Sequence, residues 1–331
     1  MDSLTHGLLG AAIAALPWPK RLEVAEEPKL ALRAGIVVGV IAAELPDLDY
    51  LWPARDDVMH ALRAHRGLTH ALIAAPAVAL VATLLTWLLF RRARLTALFA
   101  RALVAVPVAH LLPDLWTGWG TRLFLPFSER RFALDWTMVL DPFVTLPLVV
   151  AAVVSLVKRG RFRLAFRCAL LACAGYLAFR VASLHHLERE VRAAYPTAAS
   201  VDVFPAPFSP TRYRYVARVG EEFAAGSVGL GRSPREQARA VPYPGGPLPE
   251  RLAGHGTVQE ALDWARFPVV RHELDEAEGA RVEIADLRYH LHGTSTLTFS
   301  IALDRDGSVR EARLDRGGSA RELWRRFRQG E

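Results

Sequence analysis

A run of twenty residues without a single charge, Ala71 to Phe90, constrains this chain more than any other feature. A helix of about 20 apolar residues is long enough to cross a hydrocarbon core of roughly 30 Å. The sequence therefore predicts a membrane-spanning helix at this point. The composition agrees, because hydrophobic residues make up 52% of the chain and charged residues 23%, which is more apolar than an average soluble domain.

Five weaker apolar runs surround this segment. Several contain Pro, Gly or a charge, so they would cross a membrane only when packed against neighbouring helices. The runs are Leu4 to Pro17, Leu32 to Leu45, Ala102 to Leu115, Val139 to Val157 and Leu164 to Leu184. We predict an all-α polytopic membrane bundle of five or six helices over residues 1–187.

The net charge of +7 belongs entirely to the first 186 residues, which carry 20 Lys and Arg against 13 Asp and Glu. Many of these basic residues lie in three loops between alternate apolar runs, near residues 20–33, 91–94 and 158–163. Loops rich in Lys and Arg face the cytoplasm. We therefore expect the N-terminus and the chain after Leu187 to lie outside the cytoplasm. Basic residues scattered among apolar runs favour membrane lipids as partners and argue against nucleic acid.

Residues 188–331 differ from the bundle, because apolar and polar residues alternate there and Pro and Gly are frequent. This pattern predicts a small, mostly β (α+β) domain outside the membrane. The predicted elements are strands at Tyr213 to Val219 and Ser308 to Leu314, a hairpin over Val282 to Leu303 that turns near His292-Gly293, a turn at Asp306-Gly307, and an amphipathic helix over Ala320 to Arg328.

Two short motifs recur within the first half of the chain. Leu-Thr-His ends at His6 and again at His70, and Leu-Pro-Asp ends at Asp47 and again at Asp114. The separations between His and Asp are nearly equal, at 41 and 44 residues. This spacing predicts two related helical hairpins. Since a hairpin brings its start and finish to one side, the four residues should meet at the same membrane level, across a pseudo-two-fold axis.

Further His and Asp residues are expected at the same membrane level. His110 and Asp114 are four residues apart, which on a helix places both within reach of one ion. Asp141 opens the fifth predicted helix, although an Asp before Pro is equally typical of a helix N-cap. Ionisable groups near apolar helix ends are costly unless they are paired, and such N and O ligands suit a divalent cation. The predicted metal ligands are His6, Asp47, Asp49, His65, His70, His110, Asp114 and Asp141.

Five motifs in order resemble the YdjM family of bacterial inner-membrane proteins, over roughly residues 1–160. They are MDSLTHG at the N-terminus, then LPDLD, HRGLTH, HLLPD and LDP. The resemblance implies a metal-dependent hydrolase in the bacterial inner membrane. That family is remotely similar to zinc-dependent phospholipase C and P1 nuclease, which implies a helical enzyme that cleaves phosphate esters with bound zinc ions.

These observations favour a membrane-embedded hydrolase of a lipid-linked or periplasmic phosphate ester. We expect zinc as the cofactor, with two or more ions or manganese as alternatives. Asp49 is the predicted second ligand or general base, and Arg66 and Arg122 are placed to neutralise phosphate oxygens. Two other classes of function stay open. One is a metal-binding transporter or sensor without catalysis, and the other is a membrane anchor for a β domain that recruits a partner.

Overall fold

A computed structural model of the protein describes residues 1–51, 65–158, 160–240, 248–275, 279–291, 294–295 and 297–315. The described residues form two compact units, one helical and one rich in β-strands, which divide between Ala182 and Ser183. The predicted turn at His292-Gly293 and the predicted helix over Ala320 to Arg328 lie outside the described residues.

Helices α1 (Ser3–Ile13) and α2 (Pro28–Glu44) pack closely and run antiparallel. The start of α1 at Gly7 meets the end of α2 at Glu44. At the crossing, a Cβ added to Gly39 would lie 2.1 Å from the carbonyl oxygen of Gly10, so both positions require glycine. Direct backbone contact of this kind brings helices close together in lipid.

Helices α3 (Ala75–Leu89) and α4 (Leu95–Ala105) form the next pair. After α4, the chain continues through a π-helical turn, Val106–Leu111, into the short helix α5 (Leu112–Leu115). Along α3 the buried side chains are small and the large leucines are exposed. That pattern suits a helix with lipid outside and close helix packing inside.

Helices α6 (Pro142–Val157) and α7 (Phe162–Ala194) follow in the chain, before the first β-strand. Three helical segments of the described chain are long and apolar enough to cross a membrane: Leu72–Leu89, Leu95–Leu115 and Phe162–Ala194. The predicted span over Ala71 to Phe90 is therefore confirmed by length and composition. Helices α1 and α6 are apolar but shorter, and the predicted count of five or six spans and the relation between two hairpins stay predictions.

The second unit contains two four-stranded antiparallel sheets and a two-stranded pair, so the predicted β region is confirmed. The first sheet follows chain order: β1 (Ala198–Pro205), β2 (Arg212–Val219), β3 (Glu222–Gly229) and β4 (Arg232–Ala240). The second has the order β10 (Val309–Asp315), β9 (Thr298–Leu303), β6 (Gly279–Asp286) and β5 (Pro268–Asp275). The short pair is β7 (His290–Leu291) with β8 (Thr294–Ser295).

Strand register in the second sheet fits the predicted hairpin and third strand. Val282 on β6 pairs with Ile301 on β9, which pairs in turn with Ala312 on β10. Gly307 has a φ of +84° in the turn between β9 and β10, where an L side chain would be strained. Helices α8 (Glu250–Ala253) and α9 (Gly256–Trp264) were not predicted from the sequence, and α9 packs on β6 and β9.

Candidate metal centre

Four local elements bring predicted ligands together. A 3₁₀ turn, Leu45–Leu51, continues from α2 and carries Asp47 and Asp49. A second 3₁₀ turn, Leu68–His70, places His70 before α3 rather than in its first turn. His110 lies in the π-helical turn and Asp114 in α5. π-helical turns occur often at functional sites, because the extra residue in the turn redirects side chains.

The first group consists of Asp47, His70, His110 and Asp114, whose ligand atoms lie within 4.8 Å of one another. His70 Nε2 lies 3.3 Å from an Asp47 oxygen and 3.4 Å from an Asp114 oxygen. His110 Nε2 lies 2.9 Å from His70 Nε2, 3.6 Å from Asp47 and 3.8 Å from Asp114. Four ligands at zinc distances of about 2.0–2.1 Å in a tetrahedron are about 3.3–3.4 Å apart, so these spacings fit one zinc-sized ion.

Two further features show that the group suits a cation. Asp114 is fully buried, and its Oδ2 atom, which faces the two imidazoles, has no hydrogen-bond partner in the described structure. An unsatisfied buried carboxylate oxygen is costly unless a cation completes it. His110 Nδ1 lies 2.5 Å from the carbonyl oxygen of Ala43. An Nδ1–H that donates to a carbonyl leaves the Nε2 lone pair free for a metal.

The second group, Asp49, His65 and His70, adjoins the first through His70. Burial raises the pKa of Asp49, but hydrogen bonds from His65 and His70 outweigh it and hold that pKa below its usual range. Burial lowers the pKa of His65. Burial would also lower the pKa of His70, but its contacts with Asp114, Asp47 and Asp49 prevail and raise that pKa to about 10. Without a metal, a proton on His70 therefore balances part of the carboxylate charge.

Two groups hold the other oxygen of Asp114, and His6 lies beside it with no hydrogen-bond partner for Nε2 in the described structure. Arg66 donates from Nη2 at 2.7 Å, the α-amino group of Met1 forms an ion pair, and His6 Nε2 lies 3.3 Å away. Arg66 is itself held by a bond from Nη1 to the Thr117 hydroxyl at 2.8 Å. Its backbone has a φ of +58°, which is uncommon for a residue other than glycine. Such a conformation persists only where surrounding contacts over-determine it, and here it points the guanidinium at Asp114.

These residues lie within the stretch that is matched by the model of the YdjM inner membrane protein family, residues 1–187. The chain belongs to the YdjM family. A curated relative, the uncharacterized protein YfhP of Bacillus subtilis (strain 168), is 22% identical over 317 residues. That similarity covers 94% of both proteins, so it extends through the β-rich unit. No solved structure matches the chain.

Asp141 and Arg122 are placed differently from the other predicted residues of this YdjM-family protein. Asp141 caps α6 by accepting from the Phe143 N–H at 3.0 Å, and it accepts from the Tyr176 hydroxyl. Among the described residues it belongs to neither group of ligands. Arg122 donates to Glu129 at 2.9 Å. The structure thus brings six of the eight predicted ligands into two adjoining groups and His6 beside Asp114, whereas Asp141 has the role of an N-cap.

Sequence reasoning missed three groups that orient the ligands. The Ala43 carbonyl fixes His110, the Thr117 hydroxyl fixes Arg66, and the Thr69 hydroxyl donates to Asp49 at 2.9 Å. Thr69 could have been found, because it precedes His70 in the repeated Thr-His motif. A backbone carbonyl carries no sequence signal, and Thr117 lies 51 residues from Arg66.

Proposed function

We propose that this protein is a membrane-bound, metal-dependent hydrolase that cleaves a phosphate ester, with a zinc-type ion held by Asp47, His70, His110 and Asp114. The spacing of these four ligand atoms carries the proposal, together with the fact that one of them, Asp114 Oδ2, has no hydrogen-bond partner in the described structure. Four protein ligands fill a tetrahedral zinc site, so the ion would have to expand to five-coordination to act on a substrate. It would then polarise a phosphoryl oxygen and make water acidic enough to act as a nucleophile near neutral pH. The substrate is a lipid-linked or periplasmic phosphate ester.

The protein's own residues would orient this chemistry. Asp49 accepts hydrogen bonds from Thr69 and His65, which keep it ionised. Its lowered pKa makes it a weak proton acceptor, so it is better suited to orient a water or a ligand than to act as the predicted general base. Arg66 Nε is buried without a hydrogen-bond partner in the described structure, while Nη1 and Nη2 hold Thr117 and Asp114. The guanidinium therefore positions Asp114, and the buried Nε–H would reach a phosphate oxygen only if the side chains that cover it moved.

The proposed topology places the metal centre on the outer face of the inner membrane in a multi-pass protein. Helix α3 begins near His70 and ends near Trp87, where Arg91 stacks on the indole at 4.1 Å. The basic loop at residues 91–94 therefore lies at the end of α3 opposite to the candidate ligands. Since basic loops face the cytoplasm, the centre and the β-rich unit would be extracytoplasmic.

Turnover of a model phosphodiester by the full-length protein tests this function. We would purify the protein in detergent, load it with zinc or manganese, and follow bis(p-nitrophenyl) phosphate and a lipid phosphate. Asp47→Asn removes one ligand charge without changing side-chain size, so both bound zinc and turnover should fall at least about tenfold. The matched control is His186→Ala, since that histidine is half exposed on α7 and pairs with Glu190.

The outcomes distinguish the classes that the sequence leaves open. Zinc-dependent turnover that is lost in Asp47→Asn and kept in His186→Ala supports the hydrolase. Zinc binding lost in Asp47→Asn, without turnover of either substrate by the parent protein, would favour a transporter or sensor. A protein that binds no metal under any of these conditions would contradict the proposal.

A further inference from the structure

A short hairpin follows the span Leu95–Leu115 and displays an apolar tip. Thr121 and Phe132 exchange two backbone hydrogen bonds of 2.9 Å, which close the base of the hairpin. Between them lies the sequence Leu-Phe-Leu-Pro-Phe at residues 123–127. Phe127 is 82% exposed and Phe124 is 45% exposed. No other large apolar side chain in the described chain is more exposed than Phe127.

This exposure would be unfavourable if water surrounded the tip. Burying a Phe side chain away from water is favourable relative to leaving it exposed. Soluble surfaces rarely gather such side chains without a partner that covers them. The tip therefore has a covering partner, and its position in the fold indicates which one.

The hairpin lies at the level where two candidate spans meet the membrane boundary. The N–H of Leu72, the first residue of the span Leu72–Leu89, donates to the carbonyl of Leu123 at 2.9 Å. The hairpin also follows the last residues of the span Leu95–Leu115 directly in the chain. Leu68 and Ile73 beside it are 61% and 55% exposed. The exposed tip thus continues the apolar surface of the spans.

Charged side chains border the apolar tip. Arg122 pairs with Glu129 at 2.9 Å across the stem of the hairpin. The guanidinium of the exposed Arg130 lies 5.2 Å from the centre of the Phe132 ring. Aromatic residues next to arginines are typical of segments that lie at a membrane interface, because the rings enter the acyl region while the guanidinium stays near headgroup phosphates.

We propose that residues 123–127 insert into the leaflet next to the metal centre, so that lipid acyl chains cover Phe124 and Phe127. The base of the hairpin also joins this surface to the centre, because the Arg122 N–H donates to the carbonyl of Arg66 at 3.3 Å. Arg66 in turn holds Asp114. The tip is therefore connected to the candidate ligand Asp114 through Arg122 and Arg66, and this arrangement does not depend on catalysis.

Depth-dependent quenching tests the insertion in the full-length protein in lipid nanodiscs. In a Cys168→Ser/Cys173→Ser background, an environment-sensitive fluorophore would be attached at Phe127→Cys. Leu84→Cys is the lipid-facing control, since Leu84 is 45% exposed on a candidate span. Asp306→Cys is the water-facing control in the turn between β9 and β10. Lipids with a nitroxide on the acyl chain quench from the membrane, and iodide quenches from water.

We expect nitroxide lipids to reduce emission at residue 127 by about the same fraction as at residue 84, while iodide acts mainly at residue 306. Quenching at residue 127 by iodide alone would show a tip in water. Quenching by neither reagent would show a tip covered by a second copy or another protein segment. Both results would overturn the proposal. If Phe127→Cys does not fold, as judged by gel filtration, Phe124→Cys provides the same test.

Discussion

Helix contacts in the helical unit are made largely by Ala, Gly and Thr, and leucines such as Leu80 and Leu88 are half exposed. In the β-rich unit the relation is reversed, because large side chains such as Tyr213, Tyr215 and Phe299 are almost completely buried. Water drives large apolar side chains inward, whereas lipid is as apolar as leucine and leaves packing to small residues. The contrast indicates which surfaces face lipid and which face water.

The crossing of α1 and α2 provides the most severe test of this contrast. In Gly39→Ala, the new Cβ would lie 2.1 Å from the Gly10 carbonyl oxygen, so the helices must move apart. We expect a loss of about 3 kcal/mol or more, seen as aggregation or a lower melting temperature in detergent. Gly35→Ala is the matched control, because its Cβ would lie 3.4 Å from Ala14. Equal stability of the two variants would contradict close packing at this crossing.

A matched pair of apolar truncations measures the contrast directly. Phe299→Ala removes a side chain that is 1% exposed and packs against Trp264, and should cost about 3–5 kcal/mol. Leu84→Ala changes a side chain that is 45% exposed and should cost less than about 0.5 kcal/mol. Limited proteolysis of the full-length protein during heating would measure the loss of stability in each variant. A large effect of Leu84→Ala would mean that protein, and not lipid, covers this face.

The two units also differ in how they balance buried charge. The effect expected from this difference is smaller than the losses of stability above. In the β-rich unit, Arg288 balances Asp286 at 2.7 Å. In the candidate metal centre, the pKa of His70 is about 10, so a proton on this imidazole balances the neighbouring carboxylates. An ion must displace that proton, so the affinity for zinc should fall by up to about tenfold, or 1.4 kcal/mol, for each pH unit below 10. Calorimetry from pH 6 to 8 in several buffers would measure affinity and proton release, and a pH-independent affinity would contradict this assignment.

The sequence predicted the elements whose signal is local. An uncharged run predicts the span at Leu72–Leu89, alternating residues predict β2, and the turn at Asp306-Gly307 predicts β10. Strand β4 was missed because Arg232–Ala240 is rich in arginine and lacks apolar alternation. Strand β3 was missed because its centre, Ala-Ala-Gly-Ser, has small side chains whose pattern is weak.

The grouping of the candidate ligands was predictable because His and Asp recur at regular spacing, but their orientation was not. Nothing local shows that Arg66 adopts a positive φ or that its guanidinium faces Asp114, 48 residues further on. Asp141 illustrates the opposite case. An Asp before Pro fits a ligand and an N-cap equally well in sequence. The bonds from Phe143 and Tyr176 show the N-cap, and the ligand role stays a prediction.

His70 lies between the two groups of candidate ligands, so one imidazole ring is offered to both. Its Nε2 faces Asp47 and Asp114, and its Nδ1 lies 3.4 Å from Asp49. A neutral imidazole has one lone pair and one N–H, so it can serve a cation on one side only. Two ions would share the ring only if the neutral imidazole also lost its remaining N–H proton. A neutral His70 can therefore serve as a ligand in only one of the two groups, and the other group would have to hold an ion without this ring.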